Sequence, residues 1–149
     1  MSELLEKARS YEAKKIAATD KESKPLFHIS APAGWINDPN GFSVYNGKIH
    51  LFYQYYPYLR EWGPMHWGHS TTSDMIKWEQ LPCVMAPDEE YDKKGCFSGS
   101  AIEADGKHVL VYTGVTSIKL PDGSEQERQN QCIAFGDGLN YVKNENNPV

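Results

Sequence analysis

Cysteine is scarce, and its pattern excludes two architectures. Cys83, Cys96 and Cys132 are widely spaced, odd in number and without a C-x-x-C pair. Neither a zinc ribbon nor a disulfide framework is supported by that spacing. Free thiols in a reducing cytosol are the simplest account, so a cytoplasmic protein is expected. Basic charge is also short. The net charge is −5, and the three arginines, Arg9, Arg60 and Arg128, form no cluster. Phosphate binding needs a basic footprint, so no nucleic acid is expected as a partner. Long apolar runs are missing too. Nothing approaches a membrane span, and residues 1–20 lack the hydrophobic stretch of a secretory signal. No membrane partner is expected.

What the chain has is aromatic surface and turn chemistry. Hydrophobic residues make up 40% of its 149 residues, enough for a folded domain with a core. Nine Tyr, five Phe and four Trp make up an aromatic share of 12%. Many of these rings lie between Trp35 and Trp78 beside polar residues, as sugar-binding surfaces require. An aromatic-rich β core would place them there as well.

The densest local pattern is Trp35-Ile36-Asn37-Asp38-Pro39-Asn40-Gly41. Pro39 fixes its own φ and biases Asp38 toward extended backbone. Gly41 permits geometry that other residues resist. A carboxylate held in such a turn is a candidate nucleophile or general base. A plain Asx-type turn with a solvated acid uses the same residue types.

Residues 2–19 carry Leu5, Ala8, Glu12 and Ile16 near helical spacing among good helix formers, with Ser2 placed to cap them. A short N-terminal helix is expected, then a polar linker over Lys21–Pro25. From Phe27 the pattern changes to strands and turns. Ile49–Tyr55 and Val109–Tyr112 read as strong strands. They also belong to a repeat. Gly47-Lys48-Ile49-His50-Leu51-Phe52-Tyr53 aligns with Gly106-Lys107-His108-Val109-Leu110-Val111-Tyr112, with Gly, Lys, Leu and Tyr in common. Upstream, residues 40–44 resemble 98–102; downstream, 73–78 resemble 136–141. Each copy reads as four strands, which points to two propeller blades. Two repeats leave one apolar face uncovered, so the chain is expected to be a fragment or to pair with other chains. Two weaker signals are read as structural. His66-x-x-His69 lacks a third ligand, and Asp88–Asp92 is read as a solvated connection between blades rather than a calcium loop.

Together these residues resemble glycoside hydrolase family 32, which includes invertase, sucrose-6-phosphate hydrolase, levanase and inulinase. The resemblance runs from about Phe27 to Val149. Trp35–Gly41 is similar to the family's W-[ILM]-N-D-P-N-G. Phe52-Tyr53-Gln54-Tyr55-Tyr56-Pro57 resembles F-Y-Q-Y-N-P, with Tyr56 in place of Asn. Glu61-Trp62-Gly63 and Trp67-Gly68-His69 resemble paired W-G elements, and Phe97-Ser98-Gly99-Ser100-Ala101 resembles F-S-G-S-A. The resemblance implies an all-β fold, here about the first two blades of a five-bladed β-propeller, preceded by the helix. Residues 1–24 would be helix and linker, and 25–149 the N-terminal part of the propeller.

The implied activity is retaining hydrolysis of β-fructofuranosides such as sucrose, sucrose 6-phosphate or fructan. Asp38 matches the nucleophile. Trp35, Asn37, Gln54, Trp62, Phe97 and Ser98 match residues of the fructose pocket. No cofactor or metal is implied, and the partner is a small sugar. The family also uses an Asp in an Arg-Asp-Pro motif and a general-acid Glu before a Cys. Neither motif is present among these residues: the only Asp-Pro is Asp38-Pro39, and Pro82, Gly95 and Gln131 precede the cysteines. The 149 residues alone are therefore expected to be inactive on sucrose. The alternatives are a non-catalytic fructoside-binding or oligomer-forming β module, and a neighbouring propeller glycosidase family, against which the complete Trp35–Gly41 motif argues.

Overall fold

Two-residue turns set the register of both sheets. Asn46-Gly47 and Asp105-Gly106 each place both residues at positive φ. This is the mirror-image turn whose twist matches that of the flanking strands. In the computed structural model, which describes residues 1–149 apart from Lys21, Ser23 and Leu26, these turns join β1 (Trp35–Tyr45) to β2 (Lys48–Tyr56) and β5 (Gly95–Ala104) to β6 (Lys107–Lys119). β3 (His66–Thr72) and β4 (Glu79–Met85) complete the first sheet. β7 (Glu125–Gly136) and β8 (Tyr141–Lys143) complete the second. Both sheets are antiparallel with strands in sequence order. The outer connections repeat as well. Asp74 Oδ1 accepts from the amides of Ile76 and Lys77, and Asp137 Oδ1 accepts from those of Leu139 and Asn140. The repeat read from the sequence is two adjacent blades.

Strand alternation decides which side chains meet between the blades. Phe52, Trp67, Val84 and Met85 of the first sheet pack on Cys96, Leu110, Tyr112, Cys132, Ala134 and Tyr141 of the second. The intervening residues Tyr53 and Tyr55 turn to the other face and pack with Leu5, Ala8, Cys83 and Ala86. The second sheet's far face is open. Its register aligns Ile102, Val109, Phe135 and Val142 into one apolar row. Ile102 and Val142 are 61% and 73% exposed.

The expected helix forms as α1 (Glu3–Ala18), and the Ser2 hydroxyl accepts from the Leu5 amide as an N-cap. It docks by an unusual route. A register shift in β4 leaves Pro82, Cys83 and Val84 opposite Gly68 alone. Cys83 therefore presents a free donor and acceptor. Its amide donates to Glu12 Oε2 at 3.0 Å, and its carbonyl accepts from Arg9 Nε at 2.7 Å. Arg9 also reaches Asn140 and Leu139 in the second blade, so α1 ties both sheets together. Leu5, Ala8 and Glu12 are buried, whereas Ile16, near the same spacing, is not. It overlies an open groove with Leu81 and Pro82 and stays 44% exposed. In the linker, Lys24 Nζ donates to the Ala31 carbonyl; Lys21 and Ser23 fall outside the described residues.

The acidic connection needs a correction. Glu89 and Glu90 are solvated as expected, but Asp92 is fully buried. Lys143 bridges Asp88 and Asp92, and Asp92 also accepts from Tyr112 Oη at 2.9 Å. A buried carboxylate survives only with such partners, and Lys143 lies too far along the chain for sequence proximity to reveal it. Among the described residues, no helix is long and apolar enough to cross a membrane.

Candidate active site

Two bulges, one on the first strand of each sheet, build the site. In β1, Ile36 pairs with Tyr55 and Pro39 with Tyr53, so Asn37 and Asp38 together face Gln54. In β5, Phe97 pairs with Thr113 and Gly99 with Tyr112, so Ser98 has no partner in the ladder. A bulge re-aims the side chains it carries. Here both bulges turn toward each other. Ser98 Oγ donates to Asp38 Oδ2 at 3.1 Å, joining residues of different blades. Gly99 makes the second bulge possible, because a Cβ there would lie 2.0 Å from the Val111 carbonyl oxygen.

Around this pair the other expected residues divide into two groups. Trp35, Asn37, Trp62 and Phe97 are reachable from solvent. Trp35 Nε1 donates to Asn37 Oδ1 at 2.8 Å, which fixes the direction of that amide. Trp62 is 57% exposed and meets Phe97 edge to face, with centroids 6.2 Å apart. The exposed Trp62 ring and the half-buried Phe97 ring together leave an apolar edge open to solvent beside Asp38 and Ser98. Gln54 is different. It is 3% exposed, and its Nε2 donates to the Cys96 carbonyl at 2.9 Å. Its amide nitrogen links the blades.

Two residues entered the sequence reading only as members of motifs and not as site residues. Trp67 is fully buried and donates its indole N–H to the Phe97 carbonyl. Asn40 is buried, and neither atom of its carboxamide has a hydrogen-bond partner among the described residues. Trp67 stands directly opposite Gln54 in the sheet, a relation that pairing the two strands would have shown.

Behind the site lies a core of imidazoles. His50 Nδ1 meets His69 Nε2 at 2.9 Å. His108 bonds Ser43 at 2.9 Å and Tyr141 at 2.7 Å. Burial pushes His108 down to about 4 and His69 well below the usual imidazole range, with the neighbouring imidazoles adding to both. These rings are neutral packing elements at neutral pH. His66 and His69 do not share a ligand position, since their odd spacing on β3 puts them on opposite faces. His66 is bonded instead to the Pro64 carbonyl. Cys83, Cys96 and Cys132 are all buried and unpaired.

The family description "Glycosyl hydrolases family 32 N-terminal domain" matches residues 28–149. The chain belongs to glycosyl hydrolase family 32. Among curated family 32 proteins, it is 47% identical over 120 residues to a sucrose-6-phosphate hydrolase of Escherichia coli, covering 80% of this chain and 25% of that protein. It is 39% identical over 150 residues to a levanase of Bacillus subtilis, covering 98% of this chain and 22% of the relative. Among solved structures, a family 32 β-fructofuranosidase of Bombyx mori superposes with a TM-score of 0.83 at 44% identity, over 96% of this chain and 30% of that one. A sucrose-6-phosphate hydrolase of Lactobacillus gasseri gives 0.74 at 33%, over 95% and 27%. The family 32 chain described here thus spans about a quarter of the length of the curated relatives it matches.

Proposed function

We propose that this chain carries the nucleophile half of a β-fructofuranosidase site. The observation that carries the reading is the Ser98 to Asp38 contact, which holds an exposed carboxylate between two bulges beside an aromatic wall. Asp38 attacks the anomeric carbon of a fructoside. A C–O bond forms to Asp38 as the bond to the leaving oxygen breaks, and the leaving oxygen keeps the electron pair. Asn37 and Ser98 direct donors and acceptors at the furanose hydroxyls. Water then releases fructose with net retention. The substrate class is sucrose, its 6-phosphate or a fructan, in line with what the relatives' names say of those proteins. Three buried free thiols suit a cytoplasmic setting.

Protonation of the leaving group is not provided for. The family's general-acid Glu before a Cys is absent from these residues, and losing that assistance costs about 10²–10⁴-fold. Without that acid, a poor leaving group such as the glucose of sucrose stays attached. The test compares two substrates on the 149-residue chain. An aryl β-fructofuranoside, whose leaving phenolate needs little protonation, is expected to release its phenol in one turnover. Sucrose is expected to release no fructose above background. Turnover of sucrose at the rate of a full-length relative overturns the reading, as does binding of the aryl fructoside without any phenol release.

A further inference from the structure

The carbonyls of Cys96 and Phe97 are both captured from the same side. Successive carbonyls of a regular strand point to opposite edges. Here Gln54 Nε2 takes the first at 2.9 Å and Trp67 Nε1 takes the second at 3.2 Å. Both donors belong to the first blade, and they are direct partners across β2 and β3. The Cys96 amide donates to the Met65 carbonyl at 2.8 Å, so the first blade holds this backbone by three bonds. The next residue is Ser98, the unpaired residue of the β5 bulge, whose hydroxyl reaches Asp38.

We propose that Trp67 is a positioning residue of the Asp38 site. Its indole N–H turns the Phe97 carbonyl out of the strand pattern, and the turned peptide sets the bulge that delivers the Ser98 hydroxyl to Asp38. The indole N–H needs a partner because the ring is fully buried. That partner is the backbone next to the site and not a group of its own sheet. The row Asp38, Gln54, Trp67 therefore crosses three strands of the first blade and governs both bulges: one lies opposite Gln54, and the other is held by Gln54 and Trp67 together. The consequence for sugar binding rests on the fructoside reading. The geometry does not.

The experiment reads Asp38 directly. The side-chain carboxyl ¹³C resonance of Asp38 is recorded in the parent chain, Trp67→Phe, Ser98→Ala and the double variant. A further chain carries 3-benzothienylalanine at position 67, which keeps the ring shape and much of its ring current but has no N–H. That chain covers the case in which Trp67→Phe does not fold. Removal of the N–H is expected to move the resonance in the direction of Ser98→Ala by a comparable amount. The double variant is expected to coincide with Ser98→Ala alone, because both changes break one linkage. An unmoved Asp38 resonance in the benzothienyl chain overturns the proposal, as does an additive double variant. Fructose affinity is measured on the same samples, with about a fivefold loss expected on removing the N–H. If no sample binds fructose while the resonance follows the expected pattern, the fructoside reading fails and the positioning role stands.

Discussion

Ser98 and Asp38 sit in different blades, yet the hydroxyl of one donates to the carboxylate of the other at 3.1 Å. The contact depends on bulges in two strands that pair with different partners. Ser98→Ala removes the donor without adding bulk. It is expected to slow phenol release from an aryl fructoside about tenfold, as a lost hydrogen bond to a charged group would. Tm should move little, because the hydroxyl is exposed. Single-turnover absorbance and a thermal melt check both parts.

Gly99 tests the bulge itself. A methyl group at this position meets the Val111 carbonyl oxygen at 2.0 Å, and that atom is backbone. Gly99→Ala is expected to cost about 2–3 kcal/mol. It should also displace Ser98, so phenol release falls further than stability alone explains. Urea unfolding gives the first quantity and single-turnover kinetics at low urea gives the second.

Acid should part the blades. His50, His66, His69 and His108 are buried with their pKa values lowered by desolvation, His66 and His108 to about 4. Unfolded histidine titrates near 6.5. The unfolded chain therefore binds more protons below that pH, and the sign is fixed. Stability is fully present above about pH 6.5 and is lost as the pH falls toward 4, at up to about 1.4 kcal/mol per group per pH unit. Urea midpoints at pH 7.5, 6 and 5 should fall in that order.

Glu12 titrates with the opposite sign. Burial raises its carboxyl to about 7, against the lowering pull of the Cys83 amide and Arg9. Its contribution is fully present below about 4.5 and is lost as the pH rises through 7. Glu12→Gln keeps an acceptor for the Cys83 amide and removes the titration. The variant is expected to gain stability relative to the parent between pH 5 and pH 8, and paired melts at the two pH values measure the gain. Equal differences at both would contradict the buried carboxylate.

Much of the fold was legible because local chemistry and tertiary structure agree. Asn46-Gly47 and Asp105-Gly106 are turn dipeptides and form the tight turns that such pairs favour. Asp74 and Asp137 sit at equivalent places in the repeat and close equivalent loops. Asp38 and Ser98 stand in motifs specific enough to indicate the family without any geometry. What the sequence hides shares one cause, which is distance along the chain. Asp92 reads as solvated because Lys143 is remote in sequence. Glu12 falls on the buried side of the helix pattern with no partner in view, because nothing local shows that Cys83 lies in a bulge. Trp67 reads only as half of a W-G pair because its partner carbonyl belongs to the other blade.

The central claim is that Asp38 is a nucleophile, and covalent trapping tests it most directly. The chain is mixed with an aryl β-fructofuranoside, quenched in acid, digested and examined by peptide mass spectrometry. One fructosyl group is expected on the peptide containing Asp38, and none in Asp38→Asn. Phenol release with no adduct on that peptide, or an equal adduct in Asp38→Asn, would contradict the account.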